Sequence, residues 1–423
     1  MAIPQGFSID RRGFLTLAGM SWLTPLGRLL ANEAERSKGP AQSVIMLWLD
    51  GGPSQLETFD PHPGSKIAGG TRAIGTAAKG VRLAEGFDRL AEQMGSISLI
   101  RSLTSKEGDH ERGSYLVKTG YRPDATVEHP SIGAIACHEL PVGKTDIPRH
   151  ISILPGRWPS RGGFLGGEYD AFQIGDPQGK LPDVATQVPK DRDAARLRDL
   201  EIAERAFAKG RRIRVAETLH RETVSRARVM MTSEQLKAFD VSSEPASVLA
   251  EYGDSPFGRG CLAARRLIEV GVRCVEVTLG GWDAHVNNHE IHRNRIKELD
   301  PAFAALMADL TRRNLLNRTI VMCGGEFGRS PKINPLGGRD HWPIGFSMAV
   351  AGGGLRRGIT IGETDPDGHK PPADPHPIED LHATILAALG LNPSTENIAP
   401  ATGRPIKLSE GKAIRELLGR GRM

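Results

Sequence analysis

The chain has 423 residues, 25% of them charged and 39% hydrophobic, which is ordinary for a globular protein and excludes wholesale disorder. Its 55 basic and 50 acidic residues are interleaved, giving a net charge of only +5, so no nucleic-acid footprint is indicated. No apolar run reaches the length of a membrane span, and 50 glycines with 29 prolines, lacking a collagen period, mean many loops on a scaffold rather than a helical bundle.

In chain order, residues 8–31 place Arg11 and Arg12 directly before Gly13, Phe14 and Leu15 and a mildly apolar stretch. This has the form of a twin-arginine export signal. The bland alternative is an amphipathic helix with two surface arginines. No clear cleavage site follows, so residues 1–38 are set apart as signal and linker. The expected partner is the twin-arginine export machinery, and the expected location is periplasmic or exported.

From residue 39 to 423 a single domain is expected. Ser43–Leu49 is a short apolar run ending in Asp50-Gly51-Gly52-Pro53, the pattern of a buried strand and a turn. Strands are also expected at Ile97–Ile100, Ile151–Leu154, Val272–Leu279, Arg318–Cys323 and Phe346–Ala351. Helices are expected at Glu111–Lys118, Ser131–Leu140, Gly258–Val270, Asp300–Asn314 and Ile378–Leu389. Residues 155–185, 362–377 and 390–412 are rich in turn formers and read as loops. Residues 190–250 carry helical periodicity with dense mixed charge and are expected to form a helical insertion or cap. Strands alternating with helices predict an α/β fold with a mostly parallel sheet covered on both faces. Cys137, Cys261, Cys274 and Cys323 form no CxxC pair and read as small buried hydrophobes.

The acidic residues supply the functional signal. Asp50, Asp283 and Glu326 each follow an apolar strand and sit in a Gly-rich turn. In open parallel sheets, ligands bind beyond the carboxyl ends of the strands. Carboxylates gathered there repel one another, and a divalent cation removes that cost. Asp283 and His285 stand two apart, so extended backbone projects both to one side. Asp109-His110 precedes a helix, and Asp340-His341 lies in a polar loop. Carboxylate with imidazole is a donor set for Zn, Mn or Fe. Taken singly, each residue has a plain structural alternative: a turn for Asp50, a helix cap for Asp283, a loop pair for Asp340 and His341. Trp282 and Trp342 are expected to pack the site walls. His289 and His292 read as solvated or capping, and His382 as a buried helix histidine.

Six stretches carry a resemblance: residues 47–63, 108–123, 280–285, 310–334, 337–343 and 380–391. Through them the chain resembles the secreted bacterial family known as domain of unknown function 1501, which is similar to the alkaline phosphatase and sulfatase superfamily. The resemblance implies a three-layer αβα sandwich with one or two divalent metal ions (Zn, Mn, Ca or Mg) at the strand ends. By the same resemblance, Asp50 and Glu326 match one metal site, and Asp283, His285 and His341 match the other. The superfamily's Ser, Thr or Cys nucleophile has no counterpart, since its position falls at Asp109, His110 or Glu111. His110 is then a nucleophile, an acid or base, or a ligand; alternatively, metal-activated water attacks. Arg329 is expected to face an anionic substrate or to form a structural ion pair, and Lys106 has a weaker version of the same claim. The implied activity is an exported metal-dependent hydrolase of phosphate or sulfate esters, small or glycan-borne. The alternative is a non-catalytic metal- or ligand-binding protein on the same scaffold.

Overall fold

The computed structural model describes residues 40–179, 181, 184–209 and 220–418. The Arg11-Arg12 segment lies outside the described residues. Among them, the elements in chain order are β1 (Ser43–Asp50), β2 (Ala73–Gly75), β3 (Arg82–Ala84), α1 (Asp88–Gln93), β4 (Ile97–Thr104), α2 (His110–Thr119), α3 (Ile132–Glu139), β5 (His150–Ile153) and β6 (Phe172–Ile174). There follow α4 (Lys190–Ala208), α5 (His220–Thr232), α6 (Ala246–Tyr252), α7 (Pro256–Glu269), β7 (Cys274–Gly280), α8 (Asn288–Arg312), β8 (Thr319–Gly324), β9 (Gly328–Arg329) and β10 (His341–Trp342). Last come β11 (Phe346–Gly352), β12 (Thr360–Ile361), β13 (His376–Pro377), α9 (Ile378–Ala388), β14 (Glu396–Ala399) and β15 (Arg404–Lys407).

The central sheet has nine strands, in the order β12-β4-β11-β8-β1-β7-β5-β6, with β13 also on β4. β1 is flanked in parallel by β7 and β8. It alternates between two cores: Ile45, Leu47 and Leu49 face one, and Val44, Met46 and Trp48 face the other. The first core takes Leu262 of α7 and Leu306 of α8; the second takes Ile135 of α3 and Leu381 of α9. A strand buried on both faces has no polar side, which is why residues 43–49 form a continuous apolar run. The expected three-layer αβα arrangement is therefore present.

One strand departs from the parallel pattern. β11 runs antiparallel to both β4 and β8. No crossover helix separates β8 from β11, so the chain stays at the carboxyl end of the sheet and re-enters it reversed. That detour, residues 325–345, carries much of the site. Four other expectations are corrected. α8 begins at Asn288, twelve residues before the expected start, and continues through Pro301 because Leu299, Ala302 and Phe303 are buried on the core. Burial there outweighs the roughly 3 kcal/mol that an internal proline costs. The expected loop stretches 155–185, 362–377 and 390–412 contain β6, β13 and the β14–β15 hairpin. No described helix is long and apolar enough to cross a membrane. The four cysteines are buried and unpaired.

Candidate metal and active site at the carboxyl end of the sheet

β1 and β7 end side by side, with Asp50 in register with Gly280. Both strands then enter glycine turns that touch. Gly51 has φ +116°, and a Cβ there would stand 2.5 Å from the Asp283 backbone nitrogen, so only glycine lets the two turns meet. Gly325 is equally confined, with Leu49 O and Pro53 Cδ each 2.5 Å from a built Cβ. The glycine pairs at the ends of β1 and β8 are thus close-approach positions that bring the Asp50, Asp283 and Glu326 turns together at one end of the sheet.

His110 is the first residue of α2, which Asp109 caps by accepting from the Glu111 and Arg112 amides. The side chain enters between two carboxylates. Its Nδ1–H donates to Glu326 Oε1 at 2.6 Å, and its Nε2 lies 3.4 Å from Asp283 Oδ2. Glu326 is fully buried and also accepts the Gly51 amide at 3.1 Å. Burial raises the Glu326 carboxyl above its ordinary range despite the His110 hydrogen bond, and the Asp50 charge adds to the rise. The Glu326 hydrogen bond in turn raises the His110 imidazole.

A second imidazole enters from β10, which pairs His341 opposite Arg329 of β9. His341 Nδ1–H donates to Gly108 O at 2.7 Å, leaving Nε2 as a lone pair. That Nε2 lies 3.0 Å from His285 Nε2 and 3.5 Å from Asp283 Oδ1. Burial and the Arg329 charge hold the His341 imidazole below its ordinary range. His285 contacts Asp283 Oδ1 at 3.2 Å, as the two-residue spacing predicts, and its Nδ1 meets Asp340 Oδ1 at 3.2 Å.

Arg329 does not face solvent. It is fully buried, and its guanidinium donates to Gly51 O, to Gly52 O at 2.8 Å, to Arg339 O at 3.1 Å and to Asp283 Oδ1 at 2.5 Å. Arg329 thus forms an ion pair with Asp283. Burial alone would raise the Asp283 carboxyl, but the Arg329 hydrogen bond and charge outweigh it and hold it low. Lys106 pairs with Glu379 at 3.3 Å. Asp50 accepts from Trp48 Nε1 at 3.2 Å.

Among the described residues, His110, Asp283 and His341 form a group able to hold a metal ion, with ligand atoms all within 4.8 Å of one another. The donor set fits a divalent cation. His110 Nε2 is buried and has no hydrogen-bond partner, while its Nδ1–H is taken by a carboxylate. A carboxylate or carbonyl on the far nitrogen is the usual support of a metal-bound imidazole. Glu326 gives it to His110, and Gly108 O gives it to His341. Lone pairs converging on one point repel unless a proton or cation lies between them.

Several participants carried no sequence signal. The Gly108 carbonyl acts through backbone alone, and Asn334 holds the His285 carbonyl at 3.0 Å. Trp158 lies in the expected loop and stacks near-parallel to His110, centroids 6.4 Å apart at 10°. Other histidines lie apart from the group. His292 is buried rather than solvated, accepts the Ser54 amide at 2.7 Å and packs on buried Trp282. His289 lies 3.4 Å from Glu57, and His382 is buried on Val117 O at 2.8 Å.

A family model described as a protein of unknown function, DUF1501, matches residues 41–418. The chain belongs to this family. No curated protein matches it. The family member described here is similar to several solved structures. Alkaline phosphatase from the Antarctic bacterium TAB5 is 13% identical, with 84% of this chain and 99% of that chain covered and a TM-score of 0.36. PsFucS1 sulfatase from Pseudoalteromonas sp. is 13% identical, with 86% and 70% covered and a TM-score of 0.36. A Bacteroides thetaiotaomicron protein from a locus for metabolism of multiple glycosaminoglycans is 11% identical, with 89% and 76% covered and a TM-score of 0.42.

Proposed function

We propose that the chain is an exported, metal-dependent hydrolase of phosphate or sulfate esters. One observation carries the reading: His110 Nε2, His341 Nε2 and an Asp283 oxygen converge within 4.8 Å, and the imidazoles are oriented from behind by Glu326 and Gly108. Imidazole with carboxylate suits Zn²⁺ or a similar ion better than Ca²⁺ or Mg²⁺. A cation held there would supply Lewis-acid polarisation of the ester oxygens and activation of water.

The chain's own residues do the rest. His110, Asp283 and His341 would hold the ion, and His285 stands next to them. Asp340 keeps the His285 ring turned through Nδ1. Arg329 acts as a positioning residue by clamping Asp283 and both turn glycines. Asp50 adds negative potential beside Glu326 rather than a direct contact with the three-ligand group. Export rests on the Arg11-Arg12 motif.

The test is metal analysis of the purified full chain, followed by assays on aryl phosphates, phosphodiesters, sulfates and sulfated glycans. Stoichiometric divalent metal is expected, with turnover that disappears in folded Asp283→Ala and His341→Ala variants. Protein free of divalent metal after gentle purification overturns the reading. Metal without turnover on any class supports the non-catalytic alternative. One feature favours that alternative: no serine, threonine or cysteine side chain hydrogen-bonds to His110, Asp283 or His341 among the described residues.

A further inference from the structure

Arg329 is buried with its donors occupied, so it does not present its guanidinium to an anionic ester. We infer that Arg157 is the residue that binds the substrate's phosphate or sulfate group; this rests on the hydrolase reading above. β5 is parallel to β7 and ends at Ile153, at the same edge of the sheet as Asp50. Leu154 then takes a left-handed turn, φ +54°. The next residues cross the site: a Cβ on Gly156 would lie 3.2 Å from Asp50 Oδ2. Arg157 follows, exposed, with its guanidinium 5.5 Å from the Trp158 ring centroid. Trp158 is the ring stacked beside His110.

The loop is held from below. Lys118 Nζ donates to Trp158 O at 2.7 Å and to Glu276 Oε1 at 2.9 Å, and Ser160 Oγ donates to Glu276 Oε2 at 2.7 Å. Lys118 and Glu276 are both buried. A buried ion pair therefore sets the height of the loop, and a cation–π contact restrains the guanidinium without neutralising it. Among the described residues Arg157 makes no ion pair, so its planar donor face stays available to a tetrahedral oxyanion. The other cations around the site are taken: Arg329 by Asp283, Lys106 by Glu379, Arg112 by Glu107, and Arg295 by Glu298.

The test titrates inorganic phosphate and inorganic sulfate into the full chain by calorimetry, with and without added Zn²⁺. Arg157→Gln is expected to weaken binding about tenfold or more, Arg157→Lys to retain part of it, and Trp158→Phe to retain most. Lys332→Gln, at another exposed cation on the turn between β9 and β10, is expected to bind like the parent. The inference is overturned if Arg157→Gln binds like the parent, if the loss appears in Lys332→Gln instead, or if the parent binds neither ion. Divalent metal content measured on the same samples judges the metal reading separately. Parent protein that takes up no divalent metal defeats the hydrolase proposal, while the metal-free titration still decides Arg157.

Discussion

His110 donates its Nδ1–H to Glu326 Oε1 at 2.6 Å, although the two residues stand 216 positions apart. This bond joins an imidazole and a carboxylate that the sequence leaves far apart. Glu326 lies behind the imidazole, Asp283 lies in front of it, and the buried Nε2 points forward. Supporting groups of this kind set ligand orientation and basicity. Glu326→Gln is expected to lower Zn²⁺ affinity roughly 10- to 100-fold with the fold retained. Competition against a chromogenic chelator measures it, and unchanged affinity would remove Glu326 from the ligand support.

Arg329 ties three backbone carbonyls and one carboxylate into a single node. Truncation removes the guanidinium donors from the three backbone carbonyls and takes the paired charge from Asp283. Arg329→Ala is expected to destabilise the protein by about 3 kcal/mol or more in urea unfolding. Arg329→Lys should fail to restore it, because an ammonium cannot reproduce the planar fork. A stable Arg329→Ala variant that loses only activity would return Arg329 to a substrate-facing role.

Gly51 is constrained twice, by its φ of +116° and by the Asp283 nitrogen 2.5 Å from a built Cβ. Gly51→Ala is expected to cost about 1–3 kcal/mol and to push the Asp283 turn away from the Glu326 turn. Thermal unfolding together with metal titration should show both effects in the same variant.

The Lys118–Glu276 pair is buried beneath the Trp158 loop. Lys118→Met strands the Glu276 charge and is expected to lower stability by about 3–5 kcal/mol. The Glu276→Gln, Lys118→Met double variant should recover much of that loss. If it does not, the pair is not the main support of the loop.

His292 gives the protein an acid-sensitive step. Burial lowers its imidazole to about 4, against an ordinary value of 6.5, while the nearby Glu57 charge pulls the other way. Between those values the unfolded chain takes up a proton that the folded chain refuses. Stability contributed by neutral His292 is therefore complete above pH 6.5 and falls as pH drops toward 4, by roughly 3 kcal/mol. Below that, Glu57 continues the trend. Burial would raise its carboxyl, but Arg339 and His292 hold it at about 2 against 4.5, so its contribution is lost as pH falls from 4.5 to 2. Urea unfolding at stepped pH should give His292→Gln a flatter profile between pH 6.5 and 4 than the parent. Parallel profiles would exclude His292 as the source.

Local pattern alone determined the strands that build the centre of the sheet and the turns that follow them. Apolar runs such as 43–49 identify doubly buried strands, and Asp50, Asp283 and Glu326 are legible because each ends one beside paired glycines. The Asp283–His285 contact was readable from period-two spacing. The assignments that require partners remote in sequence were decided by the tertiary structure. Strand order brings α2 across to β8 and so turns His110 into the link between carboxylates. The chain's return without a crossover reverses β11 and carries His341 to the site. Arg329, three residues after Glu326, reads equally as substrate-facing or as an ion-pair partner, and backbone carbonyls of the neighbouring turns enclose it. A basic side chain's role depends on which acceptors surround it, and those acceptors come from segments that only the folded sheet places together. The same fact leaves Arg157, invisible in a Gly- and Pro-rich loop, exposed beside Trp158 and without an ion pair among the described residues. Part of the composition that first read as a surplus of loops, Gly51-Gly52 and Gly324-Gly325, forms the close-approach turns that the site requires.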